Sequence, residues 1–181
     1  MKTILKYHKA LCFAAKAHDG QLRKDNETPY IVHPIGVAEL VKHFGGDDNQ
    51  IIAALLHDTV EDCDTSHADI LENFGQDVAN LVVDLTDVYV KKDYQDLNRA
   101  ARKTLEAQRL AKISNRAKLV KACDILYNIN DCRGMTDGFK HKMLSEKMNN
   151  IIAMFGDVDH SWTSGIFQVR KELLDFYKLE L

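Results

Sequence analysis

The chain has 181 residues, of which 45% are hydrophobic and 28% charged, with a formal net charge of −3. That length suits one domain with a core of its own, and the mild negative charge excludes a dominant basic footprint for nucleic acid while leaving room for a local basic pocket. Cys12, Cys63, Cys123 and Cys132 lack CxxC spacing, and no apolar run reaches the length of a signal peptide or membrane span; reduced thiols in a cytoplasmic protein, away from membranes and nucleic acid, are expected.

Apolar residues recur at helical spacing almost throughout, so the chain reads as all-α and as a single domain over 1–181. The first helix is expected over 3–18. The polar segment Asp19 to His33, with Gly20 and Pro29, reads as a long loop, within which Tyr30-Ile31-Val32 could be extended. Pro34 opens a helix over 34–44, and Gly45-Gly46-Asp47-Asp48 combines a glycine stop with an acidic restart for a helix over 48–62. Thr65 or Ser66 caps a helix over 66–74, and another follows over 76–87. Val88 to Asp96, rich in Lys and Asp, reads as a second loop. Further helices are expected over 98–113, 115–132 (capped by Ser114 or Asn115), 139–155 and 160–179. Trp162 and Phe167 read as packing for the last of them.

Within the third helix, Leu55-Leu56-His57-Asp58-Thr59-Val60-Glu61-Asp62 runs from apolar core straight into an imidazole and three carboxylates. At 3.6 residues per turn His57 shares a face with Glu61, and Asp58 with Asp62. Charges so placed need a partner, and a metal ion is an economical one. Two more donors suit it: His33, held at a helix start by Pro34, and Asp124, a carboxylate inside an apolar helical stretch. Two imidazoles and two carboxylates suit Mn²⁺, Fe²⁺ or Zn²⁺, whose chemistry is to acidify a bound water and polarise a phosphoryl oxygen. Glu61 and Asp62 could then position or deprotonate that water.

The order His33, His57-Asp58, Asp124 resembles the H…HD…D signature of the HD-domain metal-dependent phosphohydrolases. The likeness is closer to the branch that degrades the alarmone (p)ppGpp, found in the Rel/Spo hydrolase domains and the stand-alone small alarmone hydrolases. It is carried by Arg23-Lys24 through Pro29-Tyr30 to His33-Pro34, similar to that branch's RKxxxxPYxxHP loop, and by Ala53-Ala54-Leu55-Leu56-His57-Asp58 through Glu61-Asp62, similar to its AALLHDxxED helix. Leu85-Thr86-Asp87-Val88, Arg99-Ala100-Ala101-Arg102, Glu106 to Ala111 and Lys121 to Asn128 follow in family order. The likeness covers about 3–155, and 156–181 match only loosely, so the last helix is free to serve a subunit interface in a homo-oligomer.

The resemblance implies an HD-type helical bundle with one central metal site. His33, His57, Asp58 and Asp124 would bind Mn²⁺ or another divalent metal, and Glu61 and Asp62 would serve the attacking water. Arg23, Lys24, Tyr30 and Asn128 would contact the nucleotide substrate. The implied reaction removes the 3′-pyrophosphate of guanosine tetra- or pentaphosphate, the alarmone of the stringent response, giving GDP or GTP. One departure is Ala122-Cys123-Asp124 where the branch carries Leu-Ala-Asp, a small change that the packing should tolerate.

Singly, each motif has a plainer reading. His57 to Asp62 could be a solvated helix end, His33 a histidine capping before proline, and Asp124 a helix residue paired with Lys121. Arg23 and Lys24 could be solvated loop cations, and Asn128 a satisfied amide. Rival functions are an HD phosphohydrolase for another nucleotide, such as the 2′-phosphate of NADPH or a nucleoside monophosphate, and a non-catalytic nucleotide-binding module. His8, His18, His43, His67, His141 and His160 have no partner pattern and read as structural or exposed.

Overall fold

A computed structural model of the chain describes residues 2–131, 136–156 and 162–177. The reduced thiol expected at Cys132, the part assigned to His160 and the outer ends of the 160–179 helix lie outside those residues.

Ten helices occur among the described residues: α1 (Lys2–Ala17), α2 (Val32–His43), α3 (Asp48–Leu56), α4 (Thr59–Asp62), α5 (His67–Phe74), α6 (Gln76–Leu85), α7 (Arg99–Leu110), α8 (Asn115–Asn130), α9 (Asp137–Phe155) and α10 (Ser164–Tyr177). The only β pairing among them is an isolated bridge between Leu22 and Pro29. None of these helices is long and apolar enough to cross a membrane.

The local chemistry sets the helix ends. Asp47 and Gln50 form a reciprocal capping box at the start of α3, as do Ser66 and Asp69 at α5, while Asn98 and Ser114 cap α7 and α8. At the end of α2, Gly45 takes φ +76°, and its N–H and that of Gly46 donate to the carbonyls of Lys42 and Val41. That pair of bonds is a Schellman stop, which a residue with a Cβ would strain.

Helices α3 and α8 form the centre. Ile52 to Leu56 of α3 are all buried, as are residues 119–126 of α8. Helix α2 packs on both, α1 and α6 lie against α3, and α10 and α9 cover α8. Burying such near-continuous runs contributes about 1.5–3 kcal/mol per large aliphatic side chain. Trp162 is buried edge-on against Phe155, in keeping with packing for the last helix, whereas Phe167 touches the Trp162 ring but stays exposed.

Two expected elements differ. The helix over 48–62 is broken: α3 stops at Leu56, Asp58 has φ −95° and ψ −7°, and α4 restarts at Thr59. The cause is side-chain competition for backbone carbonyls, since His57 Nδ1–H donates to Ala54 O at 2.7 Å and Thr59 Oγ1 to Leu56 O at 2.7 Å. Tyr30-Ile31-Val32 is not extended but winds into α2, with Val32 N–H on Pro29 O and His33 N–H on Tyr30 O. Pro34 therefore sits in the first turn of α2, where its missing N–H has no intrahelical partner to lose.

Candidate active site

The polar loop before α2 is a folded hairpin. Asp25 accepts from Glu27 N, Thr28 N and Thr28 Oγ1, Asn26 takes φ +59°, and Arg23 N–H and Tyr30 N–H donate to Thr28 O and Gln21 O. Asp and Asn favour such side-chain-closed turns. The hairpin delivers Arg23, Lys24 and Tyr30 to one cleft of about 360 Å³, together with His33 from α2, Asp58, Glu61 and Asp62 around α4, and Asp124 and Asn128 from α8. His57 lies buried behind its floor.

His33, His57 and Asp58 offer donor atoms within 4.8 Å of one another. His33 Nε2 lies 3.4 Å from Asp58 Oδ2 and 3.3 Å from Asp124 Oδ1, and His57 Nε2 lies 3.2 and 3.9 Å from the same oxygens. Because His57 Nδ1 gives its proton to the Ala54 carbonyl, Nε2 of the neutral ring carries a lone pair. That nitrogen is buried without a hydrogen-bond partner, facing two carboxylate oxygens. Lone pair against lone pair is repulsive unless a cation lies between them, so the donor set fits a divalent metal. Burial drives the His57 ring below its ordinary pKa, which favours the neutral form a metal needs. Burial works against the charge of Asp58, but His33, whose ring the Asp124 and Asp58 carboxylates hold above its ordinary pKa, donates to it and keeps its carboxyl below the usual range.

Tyr30 joins this cluster to the acidic pair. Its hydroxyl lies 2.7 Å from Asp58 Oδ2 and 3.2 Å from Asp62 Oδ2. Its ring is packed between the His18 ring (4.7 Å), the edge of His33 (5.8 Å) and the guanidinium of Arg23 (5.4 Å). Burial and the adjoining carboxylates push the phenol pKa up, keeping it a proton donor. Glu61, at the solvent-facing mouth, accepts from Asp87 N–H at 3.2 Å; the crowding walls and the Asp87 carboxylate push its pKa up to about 7. Asp62 is raised too, by burial and by Asp58.

Asn128 and Arg23 are more constrained than their sequence suggests. Asn128 Nδ2 donates to Asp124 Oδ1 at 2.6 Å, its Oδ1 accepts from Arg23 at 3.3 Å, and Arg23 also reaches Asp131 at 3.3 Å. Lys24 lies over the Phe139 ring at 4.5 Å, beside the cleft.

Sequence reasoning missed one wall of the cleft. Its second wall is made by Asp87, Lys103 of α7, Lys121 of α8 and Lys147 of α9. Buried Lys121 sits 3.2 Å from Asp124 Oδ2 and 3.9 Å from Asp87 Oδ1; Lys147 approaches Asp124 Oδ2 at 3.9 Å, and Lys103 meets Asp87 Oδ2 at 3.3 Å. Asp87 is itself aimed by buried Glu106, which accepts from Val88 N–H and Tyr89 N–H and is braced by Arg109. A buried lysine three residues before Asp124 was one available signal; nothing local marks Lys103 or Lys147. His18, expected to be structural or exposed, is buried against Tyr30 with Cys63 Sγ 3.1 Å from its Nδ1.

The family model for the HD domain matches residues 10–157. Guanosine-3′,5′-bis(diphosphate) 3′-pyrophosphohydrolase MESH1 of Xenopus tropicalis is 44% identical over 138 residues, 74% of this chain and 74% of that one. Its counterpart from Homo sapiens is 42% identical over 138 residues, again 74% of each. A solved structure, described as a metazoan ortholog of SpoT that hydrolyzes ppGpp, superposes with a TM-score of 0.78 at 31% identity and covers 97% of both chains. The paired histidines, the His57-Asp58 doublet and Asp124 are thus set in a matched helical frame, and the chain belongs to the HD-domain family.

Proposed function

We infer that this chain is a (p)ppGpp 3′-pyrophosphohydrolase, a single divalent-metal-dependent domain that converts ppGpp and water to GDP and pyrophosphate. The observation that carries the reading is the bare His57 Nε2 facing Asp58 and Asp124, in one cleft with both an acidic pair and a lysine wall. The 42–44% identity to proteins named for this reaction supports the substrate.

On this reading His33, His57, Asp58 and Asp124 hold the metal, with Mn²⁺ the proposed ion. When bound, a divalent ion lowers the pKa of water and withdraws charge from a phosphoryl oxygen. Glu61 takes the proton of the attacking water; its ordinary carboxyl range would make it a weak base, and a value near 7 suits the task at neutral pH. Asp62, fixed by the Tyr30 hydroxyl, orients that water. Lys103, Lys121 and Lys147 balance the charge that gathers on the departing pyrophosphate. Arg23, Lys24 and Tyr30 form the nucleotide-facing rim, and Asn128 positions Asp124 while lining the nucleotide side. The free thiols of Cys12, Cys63 and Cys123 support a cytoplasmic setting.

The test is pyrophosphate release from ppGpp by the purified chain with Mn²⁺ and with chelator, beside NADPH and nucleoside monophosphates. Metal-dependent release from ppGpp is expected. Turnover of NADPH or a monophosphate alone would assign the site to another nucleotide, and no turnover with metal bound would make it a binding module.

A further inference from the structure

Glu61 is held from outside its own helix. Its Oε2 accepts from the N–H of Asp87 at 3.2 Å, and Asp87 lies in the segment 86–98 that connects α6 to α7. The turn that carries Asp87 is anchored by Glu106 of α7. One oxygen of that side chain, Oε2, accepts from Val88 N–H at 3.1 Å and from Tyr89 N–H at 3.3 Å, the two residues after Asp87. Neither N–H has a backbone acceptor among the described residues. The other oxygen, Oε1, takes Arg109 through Nε at 2.7 Å and Nη2 at 2.6 Å. Arg109 Nη1 then reaches the Asp84 carbonyl at 2.7 Å, and Asp84 Oδ2 accepts from Ser114 N–H and Oγ at the start of α8. The end of α6, the body of α7 and the start of α8 are thereby tied around one side chain.

Stability alone does not call for a charge there. Glu106 is 2% exposed, and a buried ion pair replaced by apolar residues of similar volume is often no less stable. An apolar residue cannot, however, accept two N–H groups from a turn that lacks a ladder of its own. If the turn moved, Glu61 would lose two things at once. One is the N–H that fixes its Oε2; the other is the Asp87 carboxylate, which after burial is the largest influence raising its proton affinity against the pull of Lys121. Glu106 is not among the residues that line the cleft, so its effect on the reaction has to travel through the turn.

We propose that Glu106 is a positioning residue: by gripping the Val88 and Tyr89 amides it places the Asp87 N–H against Glu61 and so fixes where the base stands over the reacting water. This rests on the reading of Glu61 as the base of a 3′-pyrophosphohydrolase. Arg109 braces the grip and takes no other part.

The experiment removes the brace first, so that no guanidinium is left buried and unpaired. In an Arg109→Met background, Glu106→Leu and Glu106→Gln differ in whether an oxygen remains for Val88 and Tyr89. With Mn²⁺ and ppGpp, kcat of the Leu form should be at least about tenfold below that of the Gln form, with the two KM values within about threefold. Adding Glu61→Gln to both should shrink that difference below about twofold, since no base is left to misplace. In chelator and without substrate, the 88 and 89 amides should exchange at least about tenfold faster in the Leu form than in the Gln form. Equal kcat in the two forms, a difference carried by KM, or one that survives Glu61→Gln would overturn the positioning role. Equal amide exchange would overturn it whatever the substrate. Wild-type enzyme that releases no pyrophosphate from ppGpp would overturn the functional reading and the positioning role with it.

Discussion

Replacing Lys121 by methionine removes a buried cation from between two buried carboxylates while keeping most of the side-chain volume. Lys121 Nζ is 3.2 Å from Asp124 and 3.9 Å from Asp87. Breaking a buried pair by deleting one partner costs about 3–5 kcal/mol, because the remaining charge stays desolvated. Here each acid keeps a second cation, Lys147 at 3.9 Å for Asp124 and Lys103 at 3.3 Å for Asp87, so about 2–3 kcal/mol is the expected loss. For a chain of this size that lowers Tm by about 4–12 °C in the metal-free protein. Metal should recover more stability in the variant than in wild type, since Asp124 has lost a competing cation and binding to the folded state raises Tm through its free energy. Thermal unfolding by circular dichroism in chelator and in Mn²⁺ measures both effects. A fall of less than 2 °C in chelator, or a metal-induced rise no larger than in wild type, would refute the charge balance drawn around Asp124.

Other substitutions separate the roles. Glu61→Gln with Asp62→Asn should reduce kcat by at least about 10²-fold while leaving Mn²⁺ affinity, measured by calorimetry, near wild type; equal loss of metal would put these acids among the metal donors. Tyr30→Phe keeps the ring between His18 and Arg23 but removes the bridge to Asp58 and Asp62, so kcat should fall about tenfold, one hydrogen bond's worth, with KM within twofold. A KM change without a kcat change would make the hydroxyl, like the ring, a nucleotide contact and not a brace for Asp62. The pH profile has a defined sign: Glu61 at about 7 is mostly protonated below neutrality, so kcat should climb through about pH 6–8 and level above that. In chelator, the raised value means the folded state holds that proton more tightly than the unfolded chain. Ionised Glu61 therefore opposes folding above its ordinary 4.5, and Glu61→Gln should gain Tm over wild type on going from pH 5 to pH 8. A constant difference in Tm would contradict the crowding at the cleft mouth.

The helices were legible because their periodicity and caps are local, and Asp47, Ser66 and Ser114 cap where the sequence places a cap. The break after Leu56 was not, because apolar spacing runs straight through it; only the hydrogen bonds from His57 and Thr59 to Ala54 and Leu56 interrupt the ladder. The loop from Asp19 to His33 was legible as a loop but not as a hairpin, since its closure depends on Asp25 reaching back over Thr28. The gathering of His33, His57, Asp58 and Asp124 followed from their order. The double use of Asn128, toward both Asp124 and Arg23, needed coordinates, because a helix sequence does not say which residues of a distant loop lie above it.

The part that stayed hidden is of one kind. The carboxylates and imidazoles come mainly from two short stretches, 33–34 and 57–62, so the sequence concentrates them, whereas Lys103, Lys121 and Lys147 come singly from α7, α8 and α9. A lysine on an amphipathic helix is ordinarily a solvated charge, and nothing in the sequence around Lys103 or Lys147 separates it from Lys91 or Lys140. Only the packing of α7 against α9, and of both near α8, turns three scattered side chains into one wall. On the proposed reading the acidic half holds metal and water, work common to any HD hydrolase, while the cationic half meets the phosphates particular to one substrate. Motif order should therefore report the reaction more faithfully than the substrate. A relative that keeps His33, the His57-Asp58 doublet and Asp124 but loses these lysines should remain a hydrolase and change its nucleotide.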